Sequence, residues 1–253
     1  MAKIIAFSNQ KGGVGKTTSC VNVAAAVAKK GKNVLLIDMD PQGNATTGVN
    51  VSKRSAPHNI YEVILGECSA NEALARTNYK NLWVIPSTMA LAGVEHDLFE
   101  MEAHEKAFRD AIAPILPLFD YVFIDCPPSL GMITVAVLTA SDGVVIPMQC
   151  EFYSMEGLSQ LLVTIRRVRQ HSNPKLEIIG ILLTMYNGRF TQTKQVVDDL
   201  KRYYADKLFS TPITRSVKVS EAPSYGAPLC YYDPYGKATL EYADVAKELM
   251  LRI

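Results

Sequence analysis

Phe7-Ser-Asn-Gln-Lys-Gly-Gly-Val-Gly-Lys-Thr-Thr18 carries three glycines in four positions, flanked by Lys11 and Lys16. Before it, Lys3-Ile-Ile-Ala-Phe7 is a short β-rich run; after it, Thr17 to about Lys30 reads as a helix. A glycine-rich turn between strand and helix aims backbone N–H groups and the positive helix end at one spot, where an anion belongs. Lys16 adds a point charge suited to a β/γ-phosphate, and Thr17 a hydroxyl able to complete a Mg²⁺ shell. The match to G-x-x-x-x-G-K-[ST] is imperfect, because Gln10 replaces the first glycine and Lys11 is an extra cation. Lys11, Gly12, Gly13, Val14, Gly15, Lys16, Thr17 and Thr18 therefore form the expected nucleotide-phosphate loop.

Working outward, apolar runs alternate with helical patterns. Strands are predicted at Lys3–Asn9, Asn33–Asp38, Leu82–Pro86, Tyr121–Asp125, Gly143–Met148 and Ile178–Thr184. Helices are clearest at Thr17–Lys30, Met155–Arg169, Thr191–Tyr204 and Thr239–Leu251, with short ones at Tyr61–Leu65 and Asn71–Ala75. Nearly continuous apolar strands imply burial on both faces. The alternation implies an α/β fold, a doubly wound and mostly parallel sheet with helices on both faces. No linker or repeat interrupts residues 1–253, so one domain is expected.

Ligands of such sheets bind at the carboxyl ends of the strands. Asp38 and Asp40 follow the second strand at alternate positions, beside Pro41 and Gly43. They suit a metal shell and a water-positioning base, or else the capping of the next turn. Tyr121-Val-Phe-Ile-Asp125 is an apolar strand ending in a carboxylate, the Walker B form, placing Asp125 toward Mg²⁺. Cys126-Pro-Pro-Ser129 then makes a rigid stretch able to switch path when a γ-phosphate leaves.

Composition narrows the class. Hydrophobic residues are 48% of 253, enough for a large core, and no apolar run approaches the ~20 residues of a bilayer span. Five scattered cysteines without a C-x-x-C pair read as reduced thiols of a cytoplasmic protein. His58, His96 and His104 lack metal-ligand spacing. Net charge is +1, but Arg166–Lys218 holds 11 Lys/Arg against 4 Asp/Glu, leaving the remainder at −6. Such segregation suggests a basic face, with ordinary solvated helices as the bland alternative.

The form x-K-G-G-x-G-K-T-T resembles the deviant Walker A motif of the family containing the ParA/Soj partition ATPases, MinD and the nitrogenase iron protein. The resemblance implies ATP and Mg²⁺ as ligands. It implies a homodimer in which the early lysine, here Lys11, reaches the partner's phosphates. It gives Asp40 the attacking water, sets Asp38 near the metal, and offers Glu151 to the partner's nucleotide. Thr184-Met-Tyr-Asn187 and Thr211-Pro-Ile-Thr-Arg-Ser216 lie where relatives hold adenine, with Asn187 and Pro212 as the candidates. Asp40-Pro-Gln-Gly-Asn44, Gln149-Cys-Glu-Phe-Tyr-Ser-Met-Glu-Gly157 and Val217-Lys-Val-Ser-Glu-Ala-Pro-Ser224 look like the partition branch. That branch implies non-specific DNA binding, here through Arg189, Arg215 and Lys218, a ParB/Spo0J-type partner that stimulates weak hydrolysis, and a nucleoid location. A MinD-type positioning ATPase on a membrane is the alternative. Against it, Thr239–Ile253 mixes Glu241, Asp244 and Glu248 with Lys247 and Arg252 on its polar face, whereas surface-seeking helices are basic.

Overall fold

A computed structural model describes the chain at residues 2–100, 104–151 and 154–253. Phe152 and Tyr153 of the Gln149–Gly157 stretch, and the side chain of His104, lie outside these. Seven strands form one sheet: β1 Lys3–Phe7, β2 Val34–Asp38, β3 Ala75–Arg76, β4 Leu82–Ile85, β5 Tyr121–Asp125, β6 Gly143–Gln149 and β7 Glu177–Thr184. Their order is β3-β4-β2-β5-β1-β6-β7, all parallel except the short edge strand β3, which runs antiparallel to β4. The six predicted strands are present. The seventh replaces the end of the helix expected over Asn71–Ala75, because Ala75 and Arg76 pair with Val84 and Trp83.

Helices cover both faces. On one pack α1 Lys16–Lys29, α2 Asn44–Gly48, the short α10 Leu229–Tyr232 and the terminal α11 Lys237–Arg252, with α9 Val217–Glu221 against them through Val219. The other face is covered by α3 Ile60–Leu65, α4 Val94–Glu100, α5 His104–Ile112, α6 Met132–Ala140, α7 Ser154–His171 and α8 Thr191–Tyr204. β2 illustrates the two-sided burial: Leu35 and Ile37 enter one core, Val34 and Leu36 the other.

The terminal helix α11 spends its apolar stripe on packing. Tyr242, Val245, Ala246 and Leu249 are at most 3% exposed against the core around α1. Each buried valine or leucine contributes roughly 1.5–3 kcal/mol. Arg252 ties down the end, donating to Ile179 O at 2.8 Å and to Glu248 Oε1 at 2.6 Å while lying over the Phe209 ring. Among the described residues no helix is long and apolar enough to cross a membrane.

Parallel register decides the site. Phe7 aligns with Asp125 on β5, and Asp38 with the same Asp125 from the other side. Two strand-terminal carboxylates and the start of the glycine loop thus meet on neighbouring strands about 4.8 Å apart.

Candidate functional site: a phosphate loop above three aspartates

The loop needs glycine where its backbone turns left-handed. Gly13 and Gly15 have φ +72° and +82°, and Gly15 is the residue from which α1 springs. A side chain at Gly12 or Gly13 would meet no atom within 4 Å, so the loop backbone lies open to an approaching group. No acidic residue occupies the first turn of α1, whose N–H groups and dipole stay available for an anion.

Polar side chains at the ends of β6 and β7 brace the loop. Thr184 Oγ1 donates to Val14 O at 2.7 Å, and Gln149 Nε2 to Gly13 O at 3.1 Å. Asn9 links loop to sheet, its Nδ2 donating to Pro147 O at 2.7 Å and its Oδ1 accepting from Lys11 N at 3.0 Å. Sequence reasoning missed all three braces; their polar identity at strand ends was the only signal.

The two lysines behave differently. Lys16 is buried, and its Nζ donates to Lys11 O at 3.0 Å, curling over the loop. Burial lowers its pKa, opposed by the field of Asp125. Lys11 points outward instead, and its Nζ pairs with Glu151 Oε2 at 2.5 Å. Two residues assigned to the same interface therefore meet within one chain.

Below the loop lie Asp38, Asp40 and Asp125, all buried. Asp38 is engaged. Thr46 donates to its Oδ2 through both N (2.8 Å) and Oγ1 (2.7 Å), and Asp40 N to its Oδ1 at 3.2 Å. The geometry thus gives Asp38 a turn-holding job, the capping alternative, and joins it to α2. Asp40 Oδ1 accepts from Gln42 N at 2.9 Å. Asp125 differs from both: neither of its buried oxygens has a hydrogen-bond partner. Burial, then the charge of Asp38, push its pKa well up, while the nearby Thr17 hydroxyl and Lys16 pull it back. An orphaned buried carboxylate beside a hydroxyl, under a loop of free N–H groups, is a fitting cation site.

Asp38 is raised from 3.8 to about 6, chiefly by burial and against the Thr46 hydrogen bonds. A raised carboxyl binds more protons folded than unfolded between these values, so its contribution to stability grows as pH falls from 6 toward 4. For metal-free protein the gain is about 3 kcal/mol. Urea unfolding across that range should show the slope, and Asp38→Asn should lose it. A variant with the parental slope would assign the titration elsewhere.

A cavity of about 280 Å³ adjoins the loop, walled by Gly15, Thr18, Met185, Thr214, Arg215 and Pro223 among others. Asn187 and Pro212 do not line it. Met185 and residues 213–216, from the two stretches expected near a base, do line it, while Asn187 Oδ1 accepts from Arg189 N at 3.1 Å. Arg189, Arg215 and Lys218 are all exposed. Lys218 is not free: its Nζ pairs with Glu221 at 3.0 Å and lies over the Tyr232 ring. The basic segment is not one stripe either, since Asp198 and Asp199 share the exposed face of α8 with Lys194 and Lys201.

Sheet order, glycine loop and strand-end carboxylates define a deviant P-loop protein of the doubly wound class. The AAA-domain family model matches residues 2–178. The chain is 47% identical over 249 residues to the sporulation initiation inhibitor protein Soj of Bacillus subtilis (strain 168), covering 98% of each. It is 43% identical over 252 residues to the chromosome partitioning protein ParA of Caulobacter vibrioides (strain NA1000 / CB15N), covering 99% of this chain and 94% of that one. Among solved structures, cobyrinic acid a,c-diamide synthase from Mycobacterium smegmatis with bound ATP analogue and magnesium superposes with TM-score 0.85. That structure is 35% identical and covers 98% of this chain and 93% of its own. The chain belongs to the Soj/ParA family of chromosome-partitioning ATPases.

Proposed function

We propose that this chain, folded as one domain, is an ATP-driven DNA-partitioning switch: it binds ATP with Mg²⁺, pairs into a sandwich dimer, and in that state holds DNA without sequence preference. The observation that carries the reading is Lys11, a second loop cation that the chain's own loop does not use and that sits at its outer rim on Glu151. In this mechanism the loop N–H groups from Gly12 to Thr18 and Lys16 cradle the phosphates. Thr17 and Asp125 would hold Mg²⁺, with Asp38 acting behind them through α2. Bound there, the ion neutralises charge that develops on the phosphoryl oxygens. Asp40 orients the attacking water. Arg215 lines the cavity beside the loop, and in this reading it does not serve as a built-in finger. Weak intrinsic turnover follows, raised by a ParB/Spo0J-type partner; such a finger is worth ~10³–10⁵ in rate.

A synthase-like reading draws on the 35% identical structure, but the partition relatives match at higher identity over the same span. Sedimentation of the purified protein with ATP, with ADP, and with each plus DNA separates the two. Partitioning requires an ATP-specific dimer and ATP-specific DNA retention, which places the protein in the cytoplasm on the nucleoid. Equal behaviour with ADP and ATP counts against it.

DNA retention should be electrostatic, because clustered Arg and Lys release counterions from phosphates without reading bases. Log K is expected to fall with log salt by about 0.9 per phosphate contacted. Arg189→Ala removes one contact per protomer, so the dimer's slope should shrink by about 2 and its affinity at least tenfold. Lys218→Ala should do less, since Glu221 already holds that ammonium. Fluorescence anisotropy against salt checks both; an unchanged slope for Arg189→Ala removes it from the interface.

A further inference from the structure

Residues His58, Glu62 and Cys68 come together on the far side of the sheet from α1, away from the phosphate loop. The helix α3 between them is closed at both ends. Asn59 and Glu62 form a reciprocal cap at its start, with Asn59 N donating to Glu62 Oε2 at 3.0 Å. At its end Gly66 turns left-handed at φ +74°, and Glu67 N donates back to Glu62 O at 2.9 Å. The chain therefore doubles back, and Cys68 returns beside Glu62 and His58. One ligand atom from each of the three lies within 4.8 Å of the others, and His58 Nδ1 is already 3.1 Å from Glu62 Oε2.

We propose that His58, Glu62 and Cys68 form a binding site for a borderline-soft divalent cation, zinc being the natural occupant. Imidazole, carboxylate and thiolate together are a zinc donor set, whereas Mg²⁺ and Ca²⁺ take oxygen alone. Around a tetrahedral zinc the ligand atoms would sit roughly 3.4–3.7 Å apart, so side-chain rotation closes the remaining distance. A water would fill the fourth position. The Asn59 N–H fixes the Glu62 carboxylate, the outer support that metal ligands need. Burial, then the charges of Glu62, Glu72 and Glu67, push the bare Cys68 thiol's pKa up. The same negative field favours a dication. Binding releases the Cys68 thiol proton to solvent as the sulfur becomes a ligand. His58 and Glu62 side chains are 39% and 29% exposed, which leaves a path for the ion. The site would clamp α3, whose Ile60 N bonds Pro86 O at 2.9 Å, to the segment leading into β3.

The test uses the full chain without a histidine tag, in Mg²⁺ buffer, titrated with Co²⁺ and then Zn²⁺. One equivalent of Co²⁺ should give a thiolate-to-cobalt charge-transfer band, which Zn²⁺ then displaces. Cys68→Ser should abolish the band, and His58→Ala should weaken binding at least about tenfold. Cys150→Ser, changing the other half-buried thiol, should keep it. If Cys68→Ser does not fold, Zn²⁺ protection of Cys68 from alkylation, mapped by mass spectrometry on the unaltered protein, gives the answer. A missing band in folded protein, a band that survives Cys68→Ser, binding indifferent to His58→Ala, or alkylation unaffected by Zn²⁺ would overturn the proposal.

Discussion

Replacing Asp40 with alanine is expected to cut ATP turnover by roughly 10²–10⁴, the usual contribution of a positioned acid–base group. Nucleotide binding should survive. The argument rests on what each aspartate already touches. Thr46 and the Asp40 backbone occupy Asp38, so it lacks a free oxygen for water. Asp125 is fully buried with neither oxygen hydrogen-bonded, and the Thr17 hydroxyl is nearby where a cation fits. Asp40 is 8% exposed, the most open of the three, and only its Oδ1 accepts a hydrogen bond among the described residues. It can orient a water while Gln42 N holds it still. Phosphate release measured with DNA and partner present, beside binding of a fluorescent ATP analogue, reads both quantities. Turnover at the parental rate would take Asp40 out of the role; loss of binding would make it part of the cradle. Asp40→Asn keeps the Gln42 contact and guards against a folding artefact.

Part of this was legible in the sequence because the signals are local. A glycine turn between strand and helix is written in twelve residues, and apolar runs of five report strands buried on both faces. Local signals also misled. Asn71–Ala75 reads as a short helix, but Ser69 and Glu72 form only a reciprocal turn there, with Ser69 N and Oγ donating to Glu72 Oε2 and Glu72 N to Ser69 Oγ. Pairing with β4 then takes over, and Arg76 stacks on Trp83 across the strands. Contacts set by register were out of reach: Asp38 meets Asp125 only because β2 and β5 are neighbours in the sheet order. The Thr184 and Gln149 braces come from residues 170 and 136 positions from their partners. His58, Glu62 and Cys68 carry no metal-ligand spacing, since the meeting depends on the left-handed turn at Gly66.

Lys11→Ala is expected to leave a protein that binds ATP yet stays monomeric at concentrations where the parent dimerises. Truncating one side of a buried charge pair typically costs 2–5 kcal/mol, and a symmetric sandwich loses two such pairs at once. The dimer dissociation constant should rise by roughly 10³–10⁷. Lys16→Ala should differ, losing nucleotide itself, since Lys16 alone curls over its own loop. The pairing of Lys11 with Glu151, 140 residues away, sharpens the test. To reach a partner's phosphate, Lys11 must leave Glu151, but that pair is exposed at 32% and 55%, and such pairs are worth only about 0–1 kcal/mol. Glu151→Gln therefore has a bounded effect if Glu151 merely tethers Lys11: with two tethers released per dimer, dimerisation strengthens by no more than about thirtyfold. If Glu151 contacts the partner's nucleotide, the same variant weakens the dimer. Light scattering with a slowly hydrolysed ATP analogue reads all three variants, and an ATP-dependent dimer of Lys11→Ala would rule out the sandwich. The signs separate two jobs for one carboxylate. A tether keeps the lysine parked until nucleotide draws it off, so dimer formation answers to ATP and not to collision alone.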